Sequence, residues 1–224
     1  MINRWVPFLN NQKIILASGS PRRKELLCDL GIRFIVKTSD FPENLSKENI
    51  SPSSYVEQTC MNKFNFFLEN NKNITYDILI TADSIVEYNN QIIEKPKNKE
   101  QCIEWFKMYS NNKVLAHTYM VIGIIDSMHN CVKMEKFLTT TNVVFDSLSD
   151  EAIEDYASTS EPYDKAGGFG IQGIAKSLIK GIEGDYYNVV GFPVNAFSNH
   201  LVKMISEYYG KEAYKTHDRN TMKM

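Results

Sequence analysis

The residues whose types and spacing are best suited to binding or catalysis lie near the start of the chain, at Ser18-Gly19-Ser20-Pro21-Arg22-Arg23. They directly follow the apolar run 14–17, which is typical of a buried strand. Ser20 can cap a helix in which Pro21 takes the first position. The free N–H groups of the first turn, the helix dipole and two guanidinium groups would then face one place, an arrangement that suits a polyphosphate. A capped helix with two solvated arginines fits the same six residues.

A carboxylate and two lysines could complete such a site. Asp83 follows the apolar run 78–82, and we predict that it stands at the carboxyl end of a strand, where ligands bind in open α/β sheets. There it could hold Mg²⁺ and orient or deprotonate a water. Lys95 lies before Pro96, which restricts its backbone, and Lys63 lies within a predicted long helix. Taken singly, a turn-capping aspartate and two surface lysines are equally ordinary interpretations.

A second glycine-rich segment spans residues 161–173. It combines charged residues with glycines, which let backbone approach a ligand closely. Gln172 offers a donor and an acceptor on one planar group, and this suits the edge of a pyrimidine. In isolation the same pattern would also fit a plain glycine loop.

Predicted strands and helices alternate in the first half of the chain, and long antiparallel strands begin the second half. This order favours an α/β fold with a mixed twisted sheet and flanking helices. The predicted strands are 13–17, 34–38, 77–82, 84–88, 91–94, 114–125 and 131–146, and the predicted helices are 22–30, 51–70, 98–109, 149–158 and 193–209.

Bulk properties narrow the class of protein. With 224 residues and a net charge of -2, the chain can build one large domain but carries no overall basic field for nucleic acid. It has no apolar run of membrane-spanning length and no signal-peptide core, so we expect a cytoplasmic protein without a membrane partner. The cysteines are too scattered for a metal motif and we expect free thiols: Cys28, Cys60, Cys102 and Cys131.

Five motifs together resemble the Maf family of nucleoside triphosphate pyrophosphatases. They occur in the family's order between about residue 13 and residue 205. They are the segments 15–27, 82–86, 94–96, 161–173 and 184–193.

The resemblance implies two lobes around a central cleft, within one domain at 1–210 that a polar tail at 211–224 follows. It also implies a nucleoside triphosphate diphosphatase that uses Mg²⁺ or Mn²⁺. Asp83 resembles the catalytic carboxylate and a metal ligand, and Glu43 a second metal ligand. The residues that resemble triphosphate contacts are Ser18, Arg22, Arg23, Lys63 and Lys95.

Two further positions resemble markers of base preference. Gln172 fits the branch that acts on dTTP and UTP, whereas Ser84 stands where that branch usually has threonine. Modified nucleotides are a further expected substrate class. A branch that prefers 7-methyl-GTP, CTP or modified pyrimidines stays open, as does the choice between monomer and homodimer. The usual histidine is displaced near His117-Thr118, and we assign His117 no role.

A different class of function is a nucleotide-binding regulator of cell division without significant catalysis. Asp83 argues against it, because a carboxylate beside a polyphosphate weakens binding unless a metal intervenes. A P-loop enzyme is disfavoured since the sequence has no G-x-x-x-x-G-K-[ST] motif.

Overall fold

The computed structural model of the protein describes residues 1–42 and 45–215. The strands are β1 (Ile14–Leu16), β2 (Ile35–Val36), β3 (Ile78–Tyr88), β4 (Gln91–Ile93), β5 (Lys113–Ile125), β6 (Cys131–Phe145) and β7 (Ile179–Glu183). The α-helices are α1 (Val6–Leu9), α2 (Pro21–Asp29), α3 (Pro52–Asn70), α4 (Lys99–Tyr109), α5 (Asp150–Ala157), α6 (Tyr186–Val190) and α7 (Val194–Tyr209).

All seven strands form one sheet in the order β2-β1-β3-β5-β6-β7, and β4 pairs with β3 off this path. β1 runs parallel to β2 and to β3, and the remaining pairs are antiparallel. Parallel neighbours need crossover connections, which α2 and α3 provide here. The predicted class, an α/β fold with a mixed sheet and flanking helices, is confirmed.

Four helices begin where the sequence predicts, because each has a side chain that caps it. In each case the cap oxygen accepts a hydrogen bond from a backbone N–H in the first turn, which satisfies a donor that the helix itself leaves unpaired. The capping residues are Ser20, Ser51, Asn98 and Ser149.

The hydrophobic core is divided between the two ends of the sheet. At one end, alternate residues of β3 point to opposite faces, so Ile80 joins a cluster with α2 and α7 while Leu79 joins a cluster beneath α3. At the other end, Val86 joins a separate cluster with α4 and α5. The long strands β3, β5 and β6 thus connect two packed regions, as two lobes require.

The prediction that a strand ends at Asp83 is wrong. β3 continues through this residue to Tyr88, and Asp83 pairs with Tyr119 of β5 within an unbroken antiparallel ladder. No glycine or proline interrupts 78–88, and β5 supplies partners along its length. The strand that ends nearby is β1, whose last paired residue is Leu16 opposite Ile80. Asp83 therefore lies just beyond the carboxyl end of β1.

β7 is a strand that the sequence analysis did not predict. Residues 181–191 read as turns because Gly181, Gly184 and Gly191 interrupt them. The structure places Ile179–Glu183 on the outer edge of β6. An edge strand needs a partner on one side only, and its side chains here are half-buried or exposed, so it lacks the apolar pattern of an internal strand.

The first and the last described segments of the chain pack together beside the core cluster that contains Trp5. The ring of Tyr214 lies 5.2 Å from the ring of Trp5, so the tail predicted at 211–224 begins with residues that pack. Residues 216–224 lie outside the described part of the chain. Of the helices in the described ranges, none combines the length and apolar character needed to cross a bilayer.

Candidate active site

One edge of β3 is paired at both ends and open in the middle. On this edge β1 pairs up to Ile80, whose carbonyl also accepts from Ala17 N at 2.8 Å. β4 begins to pair only at Val86. Between them, at 82–85, no strand among the described residues pairs with this edge. The gap leaves room for side chains and for a ligand at the heart of the sheet.

A cleft of about 760 Å³ opens at this gap. It is bounded by the start of α2, by β3 and by the segments 161–173 and 188–191. Glu43, the predicted second metal ligand, lies outside the described residues. The cleft brings together the other predicted site residues: Ser18, Arg22, Arg23, Lys63, Asp83, Ser84, Lys95 and Gln172.

Asp83 is paired with Lys63 on one face of the sheet. α3 packs on that face, and Lys63 Nζ donates to Asp83 Oδ1 at 2.6 Å. The two side chains are only 11% and 12% exposed. A buried ion pair becomes costly when one partner is removed, because the remaining charge is then uncompensated. The lysine therefore stabilises the carboxylate within the cleft.

Arg23 lies on the other side of the open edge and is held by protein oxygens. Its Nη1 donates to Ala82 O at 2.8 Å and to Ser18 Oγ at 3.0 Å. Its Nη2 donates to Ser84 Oγ at 2.9 Å, and its Nε to Gly191 O at 2.9 Å. The guanidinium of Arg23 thus lies at the open edge of β3 and donates to a backbone carbonyl there. It joins the start of α2 to the segment after α6.

Ser84 points away from Asp83, because consecutive residues of a strand face opposite sides. Its Oγ lies 2.9 Å from Thr118 Oγ1 on the neighbouring strand, in register with it. Thr118 Oγ1 in turn donates to the carbonyl of Asn188 at 3.3 Å. Thr118 and Asn188 are both buried, so a line of neutral hydroxyl groups continues from the cleft into the protein.

A second cationic group stands at the mouth of the cleft. Arg22 Nη1 lies 3.5 Å from Asp164 Oδ2, and Lys165 Nζ lies 2.6 Å from Asp164 Oδ1. Partial burial would raise the pKa of Asp164, but the hydrogen bond and charge of Lys165 outweigh it and lower that pKa. Lys95 is exposed on the same cleft wall. The mouth of the cleft therefore carries cationic side chains that an entering anion could contact.

The segment that carries Gln172 is held in shape by Glu161. The carboxylate accepts from Ile174 N at 2.6 Å and from Ala175 N at 3.1 Å. It fits only because residue 173 is glycine: a Cβ on Gly173 would lie 2.3 Å from Glu161 Oε2. Gln172 itself is exposed and lines the cleft. The position of Gln172 therefore depends on the hydrogen bonds that the Glu161 carboxylate accepts.

The described residues fit a metal ion that arrives with its substrate. They contain no cluster of three or more His, Cys, Asp or Glu side chains. Asp83 is the one predicted ligand among them, because Glu43 lies outside the described residues. Mg²⁺ is commonly bound through one or two carboxylates together with substrate phosphates. The Asp83 carboxylate beside a cationic cleft fits that pattern.

Two other reactive side chains near the cleft have structural partners. Cys60 is buried and lies 3.5 Å from Thr81 Oγ1, and burial raises the pKa of its thiol to about 12. It is therefore a protonated thiol rather than a nucleophile. His117 lies 2.8 Å from Glu87 Oε2 and 2.9 Å from Thr140 Oγ1, contacts that bridge three strands.

Comparison with known proteins agrees with this arrangement. A family model described as Maf-like protein matches residues 13–204. The chain belongs to the Maf family.

Several relatives in this family carry a functional name. The dTTP/UTP pyrophosphatase of Clostridium novyi (strain NT) is 39% identical over 184 residues, which cover 82% of this chain and 93% of that protein. The dTTP/UTP pyrophosphatase of Bacillus anthracis (strain CDC 684 / NRRL 3495) is 38% identical over 190 residues, which cover 85% and 94%. Both matches therefore run along nearly the whole length of the bacterial relatives.

A longer relative comes from Homo sapiens and is named "Probable bifunctional dTTP/UTP pyrophosphatase/methyltransferase protein". It is 35% identical over 203 residues, which cover 88% of this chain. The chain spans only 32% of that protein. The match concerns one part of the human protein.

Sequence reasoning missed two residues that support this Maf-family cleft. Thr118 was noted without a role, and Glu161 was seen only as a charge in a glycine-rich segment. Thr118 contacts Ser84, and Glu161 contacts Ile174 and Ala175. These partners are far away in sequence, so the spacing of neighbouring residues does not reveal either role. The contact of Thr118 with Ser84 exists because β3 continues past Asp83 as a partner of β5, and the sequence analysis predicted no such pairing.

Proposed function

We propose that this Maf-family chain hydrolyses nucleoside triphosphates to the monophosphate and pyrophosphate, with dTTP and UTP as preferred substrates and modified nucleotides as further ones. The observation that carries the proposal is the Lys63–Asp83 pair at the open edge of β3, within a cleft that also contains Arg22 and Lys95. The names of the bacterial relatives support the same reaction and the same bases.

The proposed reaction begins with a triphosphate bound against the cationic side chains. Arg22 suits a bidentate contact with phosphate, whereas Lys95 offers a point charge. Ser18 and the N–H groups at the start of α2 add neutral donors, since a helix N-terminus favours anions. These groups would hold the chain of phosphates in line and stabilise the charge on the departing pyrophosphate.

Asp83 is the proposed general base. It would accept a proton from the water that attacks the α-phosphorus, while Lys63 keeps the carboxylate oriented. A divalent ion, Mg²⁺ or Mn²⁺, would be held by Asp83 and the triphosphate, and would neutralise phosphate charge and favour ionisation of the water. Glu43 is the proposed second protein ligand.

The test is to incubate the purified protein with standard and modified nucleoside triphosphates in the presence of Mg²⁺ or Mn²⁺. We expect release of pyrophosphate and the monophosphate, with dTTP and UTP turned over fastest. Release of inorganic phosphate and a diphosphate would contradict attack at the α-phosphorus. Tight binding of nucleotides without any turnover would instead favour the regulator without catalysis.

A further inference from the structure

The hydrogen bonds around Ser84 have only one consistent direction. The guanidinium of Arg23 can only donate, so Ser84 Oγ accepts from Nη2 at 2.9 Å. Thr118 has a single hydroxyl proton, and it donates this proton to the carbonyl of Asn188. The 2.9 Å contact between the two hydroxyl groups can then form only if Ser84 donates to Thr118. All three bonds coexist in this direction and in no other.

This direction determines what Ser84 can offer to a ligand. Its proton is committed to Thr118, and one lone pair is committed to Arg23. A hydroxyl oxygen has two acceptor positions, so the group that remains for the cleft is an acceptor. Ser84 is half-buried and lines the cleft. It can therefore receive a hydrogen bond from a ligand but cannot give one.

The surroundings indicate which part of a nucleotide would meet this acceptor. The Asp83 side of β3 holds the buried Lys63–Asp83 pair. The Ser84 side carries the guanidinium of Arg23, which donates to four protein oxygens, and its further lining includes the neutral groups Ala116, Thr118 and Val189. Because Arg23 is held by protein oxygens, a nucleotide that spans the open edge would place its phosphates near the charges on the Asp83 side and its base near the hydroxyl groups.

We propose that Thr118 is a positioning residue for base selection, because it orients the Ser84 hydroxyl so that Ser84 accepts a hydrogen bond from the N3–H of a uracil or thymine base. The inference rests on the proposed function. Cytosine has an unprotonated N3 at the same position, and that atom would face the lone pair of Ser84. Sites that pair with a substrate N–H discriminate strongly against analogues without it.

The test compares UTP with CTP, which share the sugar and triphosphate. In Thr118→Val the shape of the side chain is kept but the acceptor for the Ser84 proton is lost, so that proton is free to turn toward the cleft. We expect the ratio of kcat/KM for UTP over CTP to fall about tenfold, the effect of one misplaced hydrogen bond. Thr118→Ser keeps the hydroxyl and should keep the ratio.

Thr59→Val is the matched control for loss of a buried hydroxyl. Thr59 is 3% exposed, and its Oγ1 has no hydrogen-bond partner among the described residues. We expect this variant to keep the UTP over CTP ratio. A thermal melt of each variant shows whether it is folded.

Ser84→Ala completes a double-mutant cycle and replaces Thr118→Val if that variant does not fold. It should lower the ratio by itself, and Thr118→Val should then have no further effect on the ratio. An unchanged ratio in Ser84→Ala or in folded Thr118→Val would overturn the inference, as would a wild-type enzyme that accepts CTP as readily as UTP. A wild-type protein that hydrolyses no nucleoside triphosphate would overturn the proposed function, and the inference with it.

Discussion

Lys63 Nζ lies 2.6 Å from Asp83 Oδ1, and this contact joins the middle of α3 to the middle of β3. The resemblance to the Maf family implied that the lysine contacts a triphosphate, whereas here it pairs with the carboxylate. The two roles are compatible, because an ammonium group has three donors. The pair stabilises a charge that would otherwise be expensive at the edge of a buried sheet.

Asp83→Asn should separate binding from turnover. The amide keeps the size of the side chain but cannot accept a proton from water. We expect kcat for UTP to fall about a hundredfold or more, while nucleotide binding, measured by calorimetry, is retained. Asp155→Asn is the control, since Asp155 is exposed on α5 outside the cleft. A near-normal kcat in Asp83→Asn would remove Asp83 from the role of base.

The adjacent arginines should respond differently to replacement by lysine. Arg23 makes hydrogen bonds to four protein oxygens, and the single nitrogen of lysine cannot reproduce this geometry. We expect Arg23→Lys to lose roughly 2 kcal/mol of stability, a decrease in Tm of about 4–8 °C. Arg22 contacts Asp164 at the long distance of 3.5 Å, so Arg22→Lys should raise KM several-fold at an unchanged Tm.

Calorimetric melts and steady-state kinetics on the two variants decide this comparison. Equal losses of Tm would show that the arginines play similar structural parts. A normal Tm in Arg23→Lys with a raised KM would return Arg23 to the role of a direct triphosphate contact.

The parts of the structure that sequence could predict are those set by neighbouring residues. Ser20 caps α2 through a contact with the backbone of Arg23, three residues away, and Gly31 ends the turn after that helix with a φ of +73°. Such signals depend on a few consecutive residues and their backbone angles. They are sufficient to predict where the candidate phosphate site begins, at the start of α2.

The parts that sequence could not predict depend on distant packing. Arg23 lines the cleft and stays a predicted triphosphate contact, but no local signal indicates that its guanidinium also donates to the carbonyls of Ala82 and Gly191, which are 59 and 168 residues away. The position of Asp83 within β3 likewise depends on β5, which continues the ladder past the end of β1. Family motifs identified the residues of the cleft, whereas their mutual contacts required the sheet.

A pair of glycine substitutions tests the support of the Gln172 segment. In Gly173→Ala the new Cβ would overlap the carboxylate of Glu161, which must move and release the N–H groups of Ile174 and Ala175. We expect a lower Tm and a UTP KM raised several-fold. Gly181→Ala is the matched control, because no heavy atom of the described residues lies within 4 Å of the added Cβ, apart from its chain neighbours. It should be neutral or stabilising by about 0.5 kcal/mol.

The comparison of Gly173→Ala with Gly181→Ala separates the effect of a steric overlap from the effect of adding a methyl group. Gly173 has a negative φ of -94°, so its replacement does not force alanine into the left-handed region that favours glycine. An unchanged Tm and KM in Gly173→Ala would show that Glu161 does not hold the segment in place.

The last prediction concerns acid stability at the junction of β6 and α7. Glu135 Oε1 accepts from Lys203 Nζ at 2.8 Å, and its Oε2 lies 2.8 Å from His200 Nδ1. Burial would raise the pKa of Glu135, but the hydrogen bonds of Lys203 and His200 outweigh it and hold that pKa below its usual value. A carboxyl group whose pKa is lowered by folding stabilises the protein above its unfolded pKa and loses this effect as pH falls through its folded pKa.

Glu135→Gln should therefore matter most at neutral pH. We expect a loss of roughly 1–2 kcal/mol there, a decrease in Tm of about 2–8 °C, because the amide keeps the size but not the charge of the side chain. The difference in Tm between wild type and variant should begin to shrink below the ordinary pKa of a glutamate, where the unfolded chain takes up a proton, and should vanish as the pH falls through the lowered pKa of Glu135 in the folded protein. Glu104→Gln, on the exposed side of α4, should show no such dependence. A difference that stays constant with pH would mean that the charge of Glu135 does not hold α7 against the sheet.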